Sequence, residues 1–545
     1  MNTSSLGTRL FFVSLVVLFL LLGVGGNRWL LAAELTPADE VAAPRLVVVL
    51  VIDQFRADYL VRFRDRFGPD GFSRLLREGA HFVSCFYPYG RTDTAAGHAT
   101  LATGATPDRH GIVGNDWYRA GVGRRVPAVR DDSSPVVGST ADLAGVSPQE
   151  LVGTTLADQL RLATGDEAKV FGVAIKDRSV IFSTGRRASG AYWYDSQTGR
   201  FITSRYYREE LPKWVRAFNQ RRGPDRYYGK NWKGEERVFV QMTTASGKPD
   251  PAFYSRVRIT PYGNEIVLDF ARELVKQEGL GEDGVTDFLF VGVSSNDAVG
   301  HQWGPYSDEV ADMTLRTDEQ VARLLKFLDR RVGEGQYWLA LSADHGVSPT
   351  LAQARARGHE ATNIDSGALG EAVRKALRER WGEDEGEWLI PRAGLVFNRD
   401  WLKKRGVSLE EAVRVVGEAA MTVEGIAGYV GARVSSVDAA TTAAVRHSFY
   451  PGRSDDMALI RDHYALFNAE RGGATHGTHY PYDTHVPLIF FGGAFRPGTY
   501  PERVSTTDLA PTLAAALGLT PPALATGKVL AQALGSAKGS SAVEE

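Results

Sequence analysis

The stretch RLVVVLVID, Arg45 to Asp53, limits the fold more than any other feature of the sequence. Seven consecutive apolar residues, mostly β-branched, leave no polar face at either the helical or the two-residue period. Such a run belongs to a strand buried on both sides, as in a parallel sheet covered by helices. Related runs recur at Phe288 (FLFVGVSS), Tyr337 (YWLALSAD) and Val486 (VPLIFF). Between them, Glu309 to Arg331 spaces Val310, Met313, Leu315, Val321, Leu324, Leu325 and Leu328 at roughly helical intervals. The segment from Ser505 ends like a helix, with Gly518 as its stop. Strands alternating with helices predict an α/β fold, a mostly parallel central sheet with helices on both faces.

At ~150 residues per domain, 545 residues would divide into three or four domains. The alternation instead reads as one large domain over 44–535. Two stretches interrupt it, 120–285 and 385–465, and both are expected to be insertions that cap the sheet. The Tyr- and Trp-rich runs of the first, such as Tyr192-WYD and Tyr227-Tyr, read as the cap's own small core. Residues 536–545 read as a flexible tail. Residues 1–33 read as a signal peptide or an uncleaved signal anchor: Arg9, an uncharged apolar stretch from 10 to 26, then small residues up to Ala33. The bulk of the chain is therefore expected outside the cytoplasm, periplasmic or secreted, and membrane-tethered only if the leader stays uncleaved.

Charge and cysteine content narrow the chemistry. Against 65 acidic residues stand 63 basic ones, a formal net charge of −2, so no global field draws in nucleic acid. The single cysteine, Cys85, excludes an intramolecular disulfide framework and thiolate zinc sites, and is expected to be a small buried residue. Any metal must be held by carboxylates and the eleven histidines.

In open α/β sheets, ligands collect beyond the carboxyl ends of the strands. Asp53 ends the first strand. Asp297 and His301 follow the second, in SSNDAVGHQWGP. Asp344 and His345 follow the third, in SADHG, and His476, in THG, precedes the last. Any one of these could simply cap a turn. Gathered at one sheet edge, they would crowd several carboxylates together, and a cation relieves that cost. His plus carboxylate without thiolate favours zinc, with Mn or Fe as substitutes. The segment from Arg91 to Tyr118 is dense in Gly, Ala and Thr, and Thr94 within it is a candidate nucleophile. Thr94 also suits a helix start, where backbone N–H groups would face a bound phosphate.

Taken together, VIDQFRADYL, TDTAAGHATLATGATPDRHGIVGNDWY, VAIKDRS, SSNDAVGHQWGP, SADHG and THGTHYPYDTHVPLIFFG resemble the alkaline phosphatase superfamily, and within it the PafA-type alkaline phosphatases, relatives of the type I phosphodiesterase/nucleotide pyrophosphatases. The motifs run from Asp53 to about Gly492. The resemblance implies an alkaline-phosphatase-like sandwich with an inserted cap and two zinc ions. One zinc would be held by Asp297, His301 and His476, the other by Asp53, Asp344 and His345, with Thr94 as its remaining ligand and as the nucleophile. It implies that Asn115, Lys176 and Arg178 hold the phosphoryl oxygens and that a phosphothreonine intermediate forms. His476 is preferred to His479 and His485 because the family's ligand lies in an HG pair.

The Lys–x–Arg pair favours hydrolysis of small phosphate monoesters, since a monoester dianion carries more charge on its non-bridging oxygens than a diester. A phosphodiesterase, nucleotide pyrophosphatase or phosphonate hydrolase on the same scaffold is the alternative. A sulfatase is disfavoured, because no Cys or Ser stands in the Cys/Ser–x–Pro–x–Arg context that those enzymes need. Asp93 is expected to turn away from the phosphate pocket, where its charge would repel substrate.

Overall fold

The computed structural model describes residues 43–382, 388–390, 394–467, 469 and 472–535. The expected leader (1–33) and tail (536–545) lie outside the described residues. Among the described residues no helix is long and apolar enough to cross a membrane.

Ten strands form one sheet: β1 Leu46–Ile52, β2 Gly79–Phe86, β3 Val136–Val137, β4 Val170–Ala174, β5 Gly190–Asp195, β6 Arg200–Ser204, β7 Asp287–Val293, β8 Tyr337–Ser342, β9 His485–Phe491 and β10 Gly498–Ser505. Their order is β10-β2-β9-β8-β1-β7-β4-β5-β6-β3. Only β9 and β6 run against the rest. β1 is central and wholly buried, paired in parallel with β7 (Leu46 beside Asp287) and with β8 (Leu46 beside Tyr337). This placement accounts for its unbroken apolar run, because both faces and both edges are covered.

Helices cover both faces. In register, Phe290 of β7 sits beside Gly172 of β4, and Phe290 meets the ring of His98 on helix α1, Thr94–Thr103. A Cβ on Gly172 would press on Thr184 and Val180 of helix α2, Asp177–Thr184. The next residue pair, Val173 beside Tyr192, points the other way. There Tyr192 packs on Phe270 of helix α3, Pro261–Glu278.

The stretch 120–285 departs from the expected cap, because it supplies β3, β4, β5 and β6 to the main sheet. Tyr192, Trp193 and Tyr194 are buried strand residues, and Phe201 stacks on Phe270 at 4.2 Å. The aromatics thus fill space between the sheet's far side and α3. The second interruption does build cores of its own. Leu377, Trp401, Val413, Val416, Tyr429 and Met457 form one cluster, and Val430, Val445 and Ile460 another. An antiparallel pair of strands, Ile426–Gly431 and Met457–Arg461, runs through both.

Candidate active site

Because most strands run one way, their carboxyl ends open onto one edge. β1 delivers Asp53. β7 leads into helix α4, Ser295–Trp303, which carries Asp297 in its first turn and His301 one turn later. β8 leads to Asp344 and His345. β4 leads to Lys176 at the N-cap of α2, with Arg178 in that helix's first turn. β2 leads through a loop to Thr94, the first residue of α1. β9 is antiparallel, so the loop before it reaches the same edge and brings His476.

Two groups converge there: Asp297, His301 and His476, and Asp53, Asp344 and His345, each with its ligand atoms within 4.8 Å of one another. Thr94 Oγ1 lies 3.4 Å from His345 Nε2 and 3.1 Å from Lys176 Nζ. Lys176 stands between the groups, its Nζ 2.6 Å from Asp53 Oδ2 and 2.8 Å from Asp297 Oδ2. Helix α1 can come this close because of Gly97: a Cβ there would lie 2.2 Å from the carbonyl oxygen of Asp344.

The chemistry of these donors suits cations. Each histidine in the two groups has its Nδ1 against a backbone carbonyl: His301 with Ala474 at 2.8 Å, His345 with Gly346 at 3.0 Å and His476 with Thr92 at 2.6 Å. Donation from Nδ1–H leaves Nε2 facing the carboxylates, the arrangement that metal-ligating histidines use. Nε2 of His301 and of His476 lies 3.2 and 3.8 Å from Asp297 Oδ1. Neither carboxylate oxygen of buried Asp53 accepts a hydrogen bond, close as Lys176 is. The residues therefore fit two metal ions.

The electrostatics agree. Burial and neighbouring Asp344 push Asp53 up to about 6, against the pull of Lys176. Burial acts the same way on Asp297, but Lys176 and His301 overcome it and hold that carboxyl well below its usual range. Burial lowers His345 to about 4 and, with His345 beside it, His476 to about 3, so both are neutral donors near pH 7. His301 goes the other way. Although burial opposes it, Asp297 raises its imidazole to about 9.

The remaining expected residues are close by. Asn115 Oδ1 accepts the backbone N–H of Ala95 at 3.0 Å, which secures the start of α1. Arg178 has a buried Nε with no acceptor. Asp93 is turned onto Arg91, with Oδ2 2.9 Å from its Nε. His479 and His485 stay out of both groups. His479 packs against the Tyr480 ring at a tilt, while His485 bonds the Val83 carbonyl at 2.8 Å and stacks on Phe86. Cys85 is buried.

Sequence reasoning missed three residues. Gln54 takes a left-handed backbone (φ 63°), donates its N–H to Asp344 Oδ1 at 3.0 Å and its Nε2–H to Asp297 Oδ1 at 2.7 Å, and so ties the two groups together. His98 lies with Nδ1 2.9 Å from the Thr94 carbonyl and 3.3 Å from Asp344 Oδ2. Asp483 accepts from the backbone and hydroxyl of Thr478, bracing the loop that carries His476. Adjacency to Asp53 was the available signal for Gln54. The other two left none.

The family model of type I phosphodiesterases/nucleotide pyrophosphatases matches residues 47–479. A Myroides odoratus protein named calcium-transporting ATPase is 34% identical over 515 residues, 89% of this chain and 94% of its own. Alkaline phosphatase PhoV of Synechococcus elongatus is 34% identical over 562 residues, 96% of this chain and 99% of its own. Alkaline phosphatase PafA of Elizabethkingia meningoseptica is 34% identical over 546 residues, 94% of this chain and 98% of its own. The crystal structure of wild-type PafA matches with a TM-score of 0.84 at 32% identity, covering 91% of this chain and 100% of that one. A second PafA structure carries substitutions at a threonine and an asparagine 21 residues apart and at a lysine and an arginine two apart. Those are the spacings of Thr94 to Asn115 and Lys176 to Arg178.

Proposed function

Because the chain belongs to the type I phosphodiesterase/nucleotide pyrophosphatase family, we propose that it hydrolyses phosphate monoesters to alcohol and inorganic phosphate, with two zinc ions and a covalent phosphothreonine at Thr94. It is an enzyme, a phosphoric monoester hydrolase by its near full-length likeness to PhoV and PafA. The observation that carries the reading is the pair of three-ligand groups flanking Thr94 and Lys176.

Asp53, Asp344 and His345 would hold one ion, with Thr94 alongside, and Asp297, His301 and His476 the other. Such ions supply Lewis acidity to both ends of an in-line displacement. The chain's own residues do the rest. Lys176, 3.1 Å from Thr94 Oγ1, favours the deprotonated hydroxyl and offers a positive charge to the phosphoryl group. Arg178 adds a planar fork suited to phosphate oxygens, and Asn115 an amide donor. Oγ1 gives up its proton and forms a bond to phosphorus as the ester bond breaks, and the departing alkoxide takes up one proton in exchange. Water then attacks phosphorus, the Oγ1–P bond breaks, Oγ1 regains a proton from that water and hydrogen phosphate leaves. Two inversions give net retention.

The family also contains phosphodiesterases, so the diester is the second reading. Lys176 and Arg178 favour the dianionic monoester. Comparing kcat/KM for p-nitrophenyl phosphate and for its bis-ester separates the two, and a preference for the bis-ester would overturn the monoester assignment. A signal peptide or uncleaved anchor at 1–33 would put the enzyme outside the cytoplasm, where it would act on small phosphate esters. Residues 44–535 act as one catalytic domain, with the segment around 385–465 as a cap.

A further inference from the structure

Beside the site lies a cavity of about 700 Å³, within the roughly 300–1,000 Å³ usual for small-molecule pockets. Its inner wall is Arg91, Asp93 and the loop Thr475–Tyr480, which includes His476. Its outer wall belongs to the inserted segment and is apolar: Val445, Phe449, Met457, Leu459, Ile460 and Phe467. Several of the polar groups around it are engaged within the protein, while Arg461, whose guanidinium donates to the Ala465 carbonyl at 3.4 Å, and His479 also line it. Arg91 pairs with Asp93 at 2.9 Å, the backbone N–H of Arg91 is taken by Ser448 Oγ at 3.0 Å, Asp455 pairs with Arg125 at 3.1 Å, and the Tyr480 hydroxyl donates to the Arg461 carbonyl at 2.8 Å. A molecule entering this space meets chiefly apolar surface and carboxylates already balanced by guanidinium groups. Such a wall chiefly rewards buried carbon.

The cavity's position relates it to the reaction. In an in-line displacement the leaving oxygen lies across phosphorus from the nucleophile. Thr94 Oγ1 packs against His345, in one group. The leaving oxygen therefore falls toward the other, Asp297, His301 and His476, and His476 is the member of that group that lines the cavity. We propose that this cavity is the leaving-group subsite and that it takes an uncharged alkyl or aryl group, so that the preferred substrates are monoesters of apolar alcohols and phenols. This rests on the monoesterase reading above.

Straight-chain alkyl phosphates test it, since their leaving alcohols differ little in acidity and the series reports binding of the chain. From methyl to hexyl phosphate, kcat/KM should rise about two- to fourfold per methylene, the range for partial to full burial of each. The affinity of non-hydrolysable alkylphosphonates, measured by calorimetry, should rise in parallel, with an increasingly negative heat capacity of binding. Ala458 lies in the same wall, and Ala458→Trp, which narrows the cavity, should flatten both series while leaving methyl phosphate turnover and methylphosphonate affinity unchanged. A flat wild-type series in both measurements would overturn the subsite, as would a steep series that survives A458W. If no monoester were hydrolysed, the proposed function would fall, and the alkylphosphonate affinities would still decide the cavity's role.

Discussion

Removing the Lys176 ammonium tests how this edge of the sheet tolerates its carboxylates. Nζ lies 2.6 Å from Asp53 Oδ2 and 2.8 Å from Asp297 Oδ2, and the lysine side chain is only 10% exposed. At an effective dielectric of ~20, charges this close attract by about 6 kcal/mol before desolvation is counted. Losing one partner of a buried pair costs about 3–5 kcal/mol, the loss expected for Lys176→Ala in metal-free protein at pH 8. The pH dependence has a definite sign. The folded-state pKa of Asp53, about 6, lies above the ordinary 3.8, so ionising it opposes folding. That penalty grows from pH 4 to 6 and stays constant above 6, at about 3 kcal/mol. Without Lys176, Asp53 rises further and Asp297 loses the main charge that holds it low. The variant should therefore lose more stability than the wild type as pH rises above 6. Zinc would supply the missing positive charge and close the gap. Guanidinium unfolding midpoints at pH 5 and pH 8, with chelator and with zinc, measure each part. A gap below about 1 kcal/mol at pH 8 in chelator, or one that pH does not change, would refute the reasoning.

Thr94→Ala should lower kcat by at least about 10³-fold while zinc content stays at the wild-type level, and near-normal turnover would remove Thr94 from the mechanism. Exhaustive chelation should abolish activity and zinc restore it; full activity in verified metal-free enzyme would end the two-ion proposal. Since Asp297 holds His301 up to about 9, zinc binding at pH 7 should release about one proton, seen with a pH indicator in weak buffer, and no release would contradict His301 as a ligand. Gly300→Ala places a Cβ 1.7 Å from Gln54 Oε1. It should cost about 1–3 kcal/mol of stability and lower turnover, and an unchanged enzyme would mean that Gln54 does not set the spacing of the two groups.

Much of the fold could be read from local pattern, because burial on both faces writes itself into consecutive residues. The run in β1 and the aspartate that ends it stand together in the chain, so strand, sheet edge and Asp53 were all visible at once. Asp297 with His301, and Asp344 with His345, were visible for the same reason. The expected cap at 120–285 went astray where that signal weakened. β4 to β6 are short, and Tyr192 and Phe201 face a helix rather than a second apolar strand. Aromatic residues in a strand and in a small inserted core look alike in sequence.

What the sequence determined by itself was the class of sheet, the absence of thiolate ligands and the supply of His and Asp at strand ends. Those properties depend on residue type and on neighbours a few positions away. Only the tertiary structure decided that His479 turns onto Tyr480, that Gln54 bridges the two groups, and that the inserted segment leaves an apolar cavity beside His476. These depend on strand register and on contacts across hundreds of residues. A shift of one residue in register would carry each side chain to the other face of the sheet.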